Sequence, residues 1–263
     1  DIGTGKDLEE YGDTPYHLID IIAPSDEYNL FNFANDFNSA FENIVQQHRL
    51  PFLVGGTGMY LDAALSRYKL TIANIDKNTR LNLQKKTEQE LITILCDLKP
   101  KLHNTTDIQN KDRLIQAIEI AISEKEDANS IQWPEFDPLI LGIHLNRDIL
   151  KKRVKERLKA RFDVGMIEEV RSLRSAGISD NRIDNFGLEY RYILKHLTGE
   201  LNYNDMFQKL NSAIVTFTKQ QNKWFKNLQK KGHNIVWLDA NENMLLTAKD
   251  CIERHLLKNH HTQ

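Results

Sequence analysis

Three observations predict an α/β protein with a parallel-sheet core, a helical insertion and a helical C-terminal part. The first is residues 50–65, where an apolar run (Leu50, Phe52, Leu53, Val54) stops at Gly55-Gly56-Thr57-Gly58. It then resumes at helical spacing with Met59, Leu61, Ala64 and Leu65. The second is an apolar segment at 17–22 (HLIDII), followed by a helical pattern near 29–48 and then the run at 51–54, which reads as a β-α-β unit. The third is a break in this alternation between residues 74 and 130, where only helical patterns occur.

The elements follow in order. The helix near 29–48 places Phe33, Phe37, Phe41, Ile44 and Val45 on one face. Asp76 to about Lys86 reads as a helix. Thr87-x-x-Glu90 is a capping box that opens another, with Leu91, Ile94, Leu95 and Leu98 inward. A third carries Leu114, Ile115, Ile118 and Ile122, and the polar stretch 124–130 reads as an exposed connection. The insertion is therefore set at 74–132 and the core at 1–73 and 133–263. Segments 139–145 (LILGIHL) and 234–239 (NIVWLD) read as further strands. Between them the chain is mostly helical, ending in an amphipathic helix near 207–230 with Leu210, Ile214, Phe217, Trp224 and Leu228 in one stripe. The tail after Lys258 reads as disordered.

Composition sets the outer limits. A chain of 263 residues, 40% hydrophobic and 27% charged, has the make-up of a globular protein with a real core. No apolar run approaches the roughly 20 residues of a membrane helix. Cys96 and Cys251 form no disulfide framework, so a reducing cytoplasm is expected. The nine histidines show no metal-ligand spacing.

Net charge is only −2, yet the charge is segregated. Arg147, Lys151, Lys152, Arg153, Lys155, Arg157, Lys159 and Arg161 stand against Asp148 and Glu156. From Met206 to Leu238 there are lysines and no acid. Such runs can build a phosphate-tracking face on a nearly neutral protein, although a solvated helix face explains either run alone.

A strand that turns through glycines into a helix leaves free N–H groups and a positive dipole end, where phosphate-bearing ligands settle. Gly3-Thr4-Gly5-Lys6 superficially matches the end of a P-loop. Asp7 follows the lysine where a hydroxyl is required, so it is not one.

The pieces Asp1-Ile2-Gly3-Thr4-Gly5-Lys6, His17-Leu18-Ile19-Asp20, Gly55–Tyr60, Asp112-Arg113-Leu114, Arg161-Phe162, Glu189-Tyr190-Arg191 and Gln221…Trp224-Phe225 fall in one order. In that order the chain resembles the tRNA dimethylallyltransferase (tRNA isopentenyltransferase) family from residue 1 to about 240. The resemblance implies a P-loop-NTPase-like core and transfer of a dimethylallyl group to N6 of the adenosine 3′ to a tRNA anticodon. It implies tRNA and dimethylallyl diphosphate as partners, Mg²⁺ as cofactor and a monomeric enzyme. The family's first strand, P-loop and catalytic Asp precede the DIGT-x-K motif. The chain is thus expected to be part of a longer product and inactive alone, with the Mg²⁺ ligands mostly upstream of residue 1.

Site residues follow from the same resemblance. Arg161 is expected on the diphosphate, where a planar fork binds bidentately, and Thr57 beside the target adenosine. Asp1, Thr4, Lys6, Gly55, Gly56 and Gly58 are expected around the diphosphate and nucleotide. Arg161 is placed on one basic face with Arg153 and Arg157. RNA contacts are expected from Arg80, Arg113, Gln116, Phe186, Tyr190, Arg191, Lys219, Lys223 and Lys226, with a helix N-cap open as a second role for Thr57 and core packing for the two aromatics. At Gln116, Gln220 and Lys226 the family usually has arginine, so bidentate contacts are lost there. Two alternatives stay open: an enzyme acting on free adenine nucleotides or a P-loop kinase, and a non-catalytic RNA-binding paralogue.

Overall fold

The computed structural model describes residues 1–70, 77–99, 111–125, 130–240 and 243–260. Asp76, most of the 124–130 connection and the last three residues of the tail lie outside the described residues. The helices are α1 (Leu30–Gln46), α2 (Gly58–Leu65), α3 (Lys77–Gln84), α4 (Glu88–Leu98), α5 (Lys111–Lys125), α6 (Arg147–Asp163), α7 (Met166–Ser175), α8 (Asp180–Asp184), α9 (Leu188–Leu197), α10 (Tyr203–Lys230) and α11 (Met244–His260). Strands β1 (Ile140–His144) and β2 (Ile235–Asp239) pair in parallel, from Ile140 opposite Ile235 to His144 opposite Asp239.

The chain packs as two compact units, one of residues 1–27, 53–59 and 136–263, the other of 28–52 and 60–135. In the first, the core is built by Val154 and Leu158 of α6, Val170 of α7, Ile183 of α8, Ile193 of α9 and Met206, Leu210 and Ile214 of α10. Gly142 is glycine because a Cβ there would lie 2.8 Å from the Trp237 ring and 2.9 Å from Ile235.

In the second unit, Leu83, Leu91, Leu95, Leu114, Ile115 and Ile118 form a separate cluster from α3, α4 and α5. The expected capping box is present: the Thr87 N–H donates to Glu90 at 2.7 Å, and the Glu90 N–H to Thr87 Oγ1 at 3.3 Å. A second box, made by Asn29 and Asn32, opens α1. Phe33 and Phe37 of α1 are buried, against Tyr60 and Trp133 respectively.

Two strand expectations are corrected. Residues 17–22 and 51–54 carry no strand, and among the described residues the sheet has two strands. Ile21, Ile22, Phe52, Leu53 and Val54 are exposed, the last by 83%. An extended apolar segment becomes a strand only where a second backbone accepts and donates its ladder bonds, and that partner is non-local. On α10, Phe217 leaves the expected inward stripe and is exposed, whereas Met206 joins it fully buried. No described helix is long and apolar enough to cross a membrane.

Candidate active site and nucleic-acid face

Arg161 sits 9% exposed at the end of α6. The reason is helical geometry. At about 100° per residue, Arg161 falls about 20° from Val154 but about 80° from Arg153. It therefore extends the buried row of Val154 and Leu158, and the expected common face is corrected for Arg153, whereas Arg157, about 40° away, is an exposed neighbour on the adjoining flank. Its Nη1 donates to the Gly3 carbonyl at 3.2 Å and lies 3.8 Å from Glu189 Oε1. Burial, followed by the charge of Arg157, pulls the guanidinium pKa down, while Glu189 and Asp7 oppose that.

The turn at residues 1–6 closes over this guanidinium. Gly5 has φ +68°, and a Cβ there would lie 1.4 Å from Arg161 Nη2. Gly3 approaches the Tyr190 ring so closely that a Cβ would lie 2.7 Å from it. Glu169, at the start of α7, accepts from the N–H groups of Ile2 (3.1 Å) and Gly3 (2.9 Å). Burial raises its pKa, while the N–H donors of Gly3 and Ile2 pull it the other way, and it lies below the usual carboxylate value. Thr4 Oγ1 donates to the Asp1 carbonyl, and Lys6 bridges Asp1 (3.0 Å) and Asp20 (2.5 Å).

The glycine turn has its own support. Gln221 Nε2 donates to the Gly56 carbonyl at 3.0 Å. Trp224 lies so close that a Cβ on Gly58 would meet its ring at 2.2 Å. Gly55, Gly56 and Thr57 are exposed, and Thr57 directly precedes the first turn of α2. The turn thus offers an open backbone backed by α10. Glu169, Glu189 and Gln221 were not among the expected site residues. Gln221 carried a motif signal, whereas nothing local marked Glu169, whose partners are a turn more than 160 residues away and the Tyr190 hydroxyl, which donates to it at 3.3 Å.

The expected RNA contacts divide. Lys219, Lys223 and Lys226 are exposed along α10, and Arg113 and Gln116 are exposed on α5. Arg80 is exposed but pairs with buried Glu119 at 3.3 Å. Arg191 is held by Asp184 through Nε at 3.1 Å. Tyr190 is corrected: at 4% exposure its ring is part of the core, because Gly3 and Phe186 cover it. Phe186 packs edge-on to Tyr190 beneath the Arg182 guanidinium, 5.1 Å from its ring centroid.

The sequence model of the IPP transferase family matches residues 1–228. The chain belongs to the IPP transferase family. Two of its relatives are tRNA dimethylallyltransferase 1 of Geotalea uraniireducens and tRNA dimethylallyltransferase 1 of Hahella chejuensis. The first is 47% identical over 253 residues, covering 96% of this chain and 83% of the relative, and the second is 45% identical over 255 residues, covering 97% and 84%. Among solved structures, the IPP transferase fold recurs in the tRNA isopentenylpyrophosphate transferase of Bacillus halodurans. It has a TM-score of 0.66 at 26% identity, covering 99% of this chain and 86% of that one. A eukaryotic dimethylallyltransferase acting on tRNA has a TM-score of 0.76 at 20% identity, which speaks for the fold alone, covering 98% and 69%.

Among the described residues no group of three or more His, Cys, Asp or Glu side chains could hold a metal ion. Of the carboxylates around the 1–6 turn, Asp1 and Asp20 pair with Lys6, and Glu189 lies 3.8 Å from Arg161.

Proposed function

We propose that this protein transfers a dimethylallyl group from dimethylallyl diphosphate to N6 of the adenosine 3′ to a tRNA anticodon, on a P-loop-type α/β core. Its membership of the IPP transferase family and the names of its relatives support the reading. One structural observation carries the chemistry: Arg161 and the Gly3–Gly5 turn, 158 residues apart in sequence, meet at a buried guanidinium.

In the reaction, the N6 lone pair forms a bond to the primary allylic carbon as the C–O bond breaks. The diphosphate leaves with the electron pair, and N6 loses a proton, which the resemblance assigns to an aspartate ahead of residue 1. Negative charge grows on the diphosphate oxygens. Arg161 answers that charge from a low-dielectric position with donors not taken by Gly3. Its orientation is fixed beforehand by Gly3, Gly5 and Glu189, so no reorganisation is needed as the bond breaks. Thr57 and the exposed N–H groups of the glycine turn hold the adenosine side. The exposed cations Lys219, Lys223, Lys226 and Arg113, with Gln116 and Arg80, contact the RNA, the last three from the 74–132 insertion.

The test is label transfer from dimethylallyl diphosphate to unmodified tRNA. In the intact enzyme, Arg161→Ala should lower kcat by about 10²–10³, the usual effect of losing one charge-stabilising donor, and Arg161→Lys should recover part of it. Wild-type turnover in the alanine variant would refute the assignment.

A further inference from the structure

A concave cleft of about 200 Å³ lies just past the last residue of β1, well away from Arg161. Its wall comes from two places in the chain: His144, Arg147 and Lys151 at the β1–α6 junction, and Thr218, Lys219 and Asn222 on α10. Arg147 and Arg161 are 14 positions apart on one helix, so about 21 Å separates them along its axis. The cleft is therefore not the diphosphate site described above.

Three observations characterise what it would hold. First, Arg147, Lys151 and Lys219 converge on it from two helices. Of the acids near it, Asp148 is 87% exposed and pairs with Lys151 at 3.2 Å, and Asp239 stands opposite His144 at the end of β2. Second, the side chains of His144, Arg147, Lys219 and Asn222 have no hydrogen-bond or ion-pair partner among the described residues, although four unshared polar groups meet in one concavity. Third, the cleft opens at the carboxyl end of a parallel strand, the edge at which α/β sheets receive ligands. Its volume is below the roughly 300–1,000 Å³ of pockets that enclose a whole small molecule. That size, with cations on both walls, suits a single phosphate of a chain passing over the surface.

We propose that this cleft is a phosphodiester site that takes one backbone phosphate of the bound tRNA, with Arg147, Lys151 and Lys219 as its cations. The proposal rests on the RNA-binding reading above. Arg147 supplies a fork of donors to the phosphate oxygens, Lys151 and Lys219 supply point charge, and Asn222 and Thr218 offer polar contacts to the adjoining ribose. Because α10 carries Lys219 and, on its next turns, Lys223 and Lys226, the site continues the row of exposed cations on that helix. It carries that row across to α6.

The experiment measures tRNA retention from 50 to 200 mM salt. Each lost phosphate contact lowers the slope of log K against log salt by about 0.7–0.9. Arg147→Gln with Lys151→Gln should therefore flatten the slope by about 0.7–0.9, so that affinity falls about threefold less than in the wild type over that range. Arg147→Lys alone should keep the wild-type slope. Lys249→Gln with Arg254→Gln, which removes the same charge from α11 where Glu253 and Asp250 already pair with these cations, should also keep it. All four positions are exposed, and circular dichroism checks that the variants remain folded. An unchanged slope in the Arg147/Lys151 variant overturns the proposal while leaving the RNA reading intact. Equal flattening in the α11 control reduces the effect to bulk charge and overturns it too. A parallel calorimetric titration with inorganic pyrophosphate distinguishes the sources of phosphate. Loss of pyrophosphate binding with an unchanged tRNA slope would assign the cleft to a free ligand and overturn the phosphodiester assignment. A wild-type protein that retains no tRNA would overturn both readings.

Discussion

Gly5→Ala isolates the way the 1–6 turn governs Arg161. The backbone at Gly5 has φ +68°, where a non-glycine residue costs about 1–2 kcal/mol. The new Cβ would also lie 1.4 Å from Arg161 Nη2, so the guanidinium must move. Moving it breaks the 3.2 Å bond to the Gly3 carbonyl, a charged hydrogen bond of about 1.5–3 kcal/mol. Stability should therefore fall by about 2.5–5 kcal/mol. If Arg161 stabilises the departing diphosphate, kcat should fall by about 10²–10³, as in Arg161→Ala. The decisive comparison is the double variant. With Arg161 already truncated, Gly5→Ala has no guanidinium left to displace, so Gly5→Ala/Arg161→Ala should be no slower than Arg161→Ala alone. Only the backbone part of the stability loss should remain. Single-turnover transfer to tRNA and urea denaturation measure the two halves. Multiplicative rate losses, or wild-type turnover in Gly5→Ala, would refute the idea that the turn acts through Arg161.

Three further outcomes follow from the geometry. Glu169 has a depressed pKa in the folded protein, so its contribution to stability is fully present above the unfolded value near 4.5 and is lost as pH falls through the lower folded value. The stability gap between wild type and Glu169→Gln, read by urea midpoints, should be constant above about pH 5 and narrow below pH 4.5; a gap that widens in acid would reverse the sign. Asp62, 2% exposed, accepts from Ser66 Oγ (2.7 Å) and Tyr68 Oη (2.6 Å), so Asp62→Ala should cost about 1.5–3 kcal/mol for each of these charge-assisted hydrogen bonds. A neutral denaturation curve would show that neither hydroxyl depends on it. Gly142→Ala should cost about 1–3 kcal/mol by overpacking against Trp237, with Gly142→Ala/Trp237→Leu recovering part of it, and no recovery would place the strain elsewhere.

Much of the local structure was legible in the sequence because it is decided within a few residues. The Thr87–Glu90 capping box, the inward stripes of α4 and α5 and the strands near 139–145 and 234–239 depend on short-range pattern, and all are present. The motifs Gly3-Thr4-Gly5-Lys6, Gly55–Tyr60 and Arg161-Phe162 were likewise visible, and with them the family. The two failed strands have one cause. The runs at 17–22 and 51–54 look like strands because they are apolar, but a strand also needs a neighbour that sequence pattern does not supply.

The sequence by itself determined the family, the helical periods and the identity of the residues available for chemistry, since these are written in order and spacing. Only the tertiary structure decided what those residues do. It put Arg161 in the buried row of Val154 and Leu158 instead of on one face with Arg153, because seven residues, not eight, return a helix to the same side. It put Tyr190 in the core beneath Gly3 and gave Glu169 the backbone of a distant turn. It brought His144, Arg147 and Lys219 around one cleft. These are contacts between residues dozens to more than 150 positions apart, and their energies depend on burial and on the local dielectric, neither of which any short window of sequence contains.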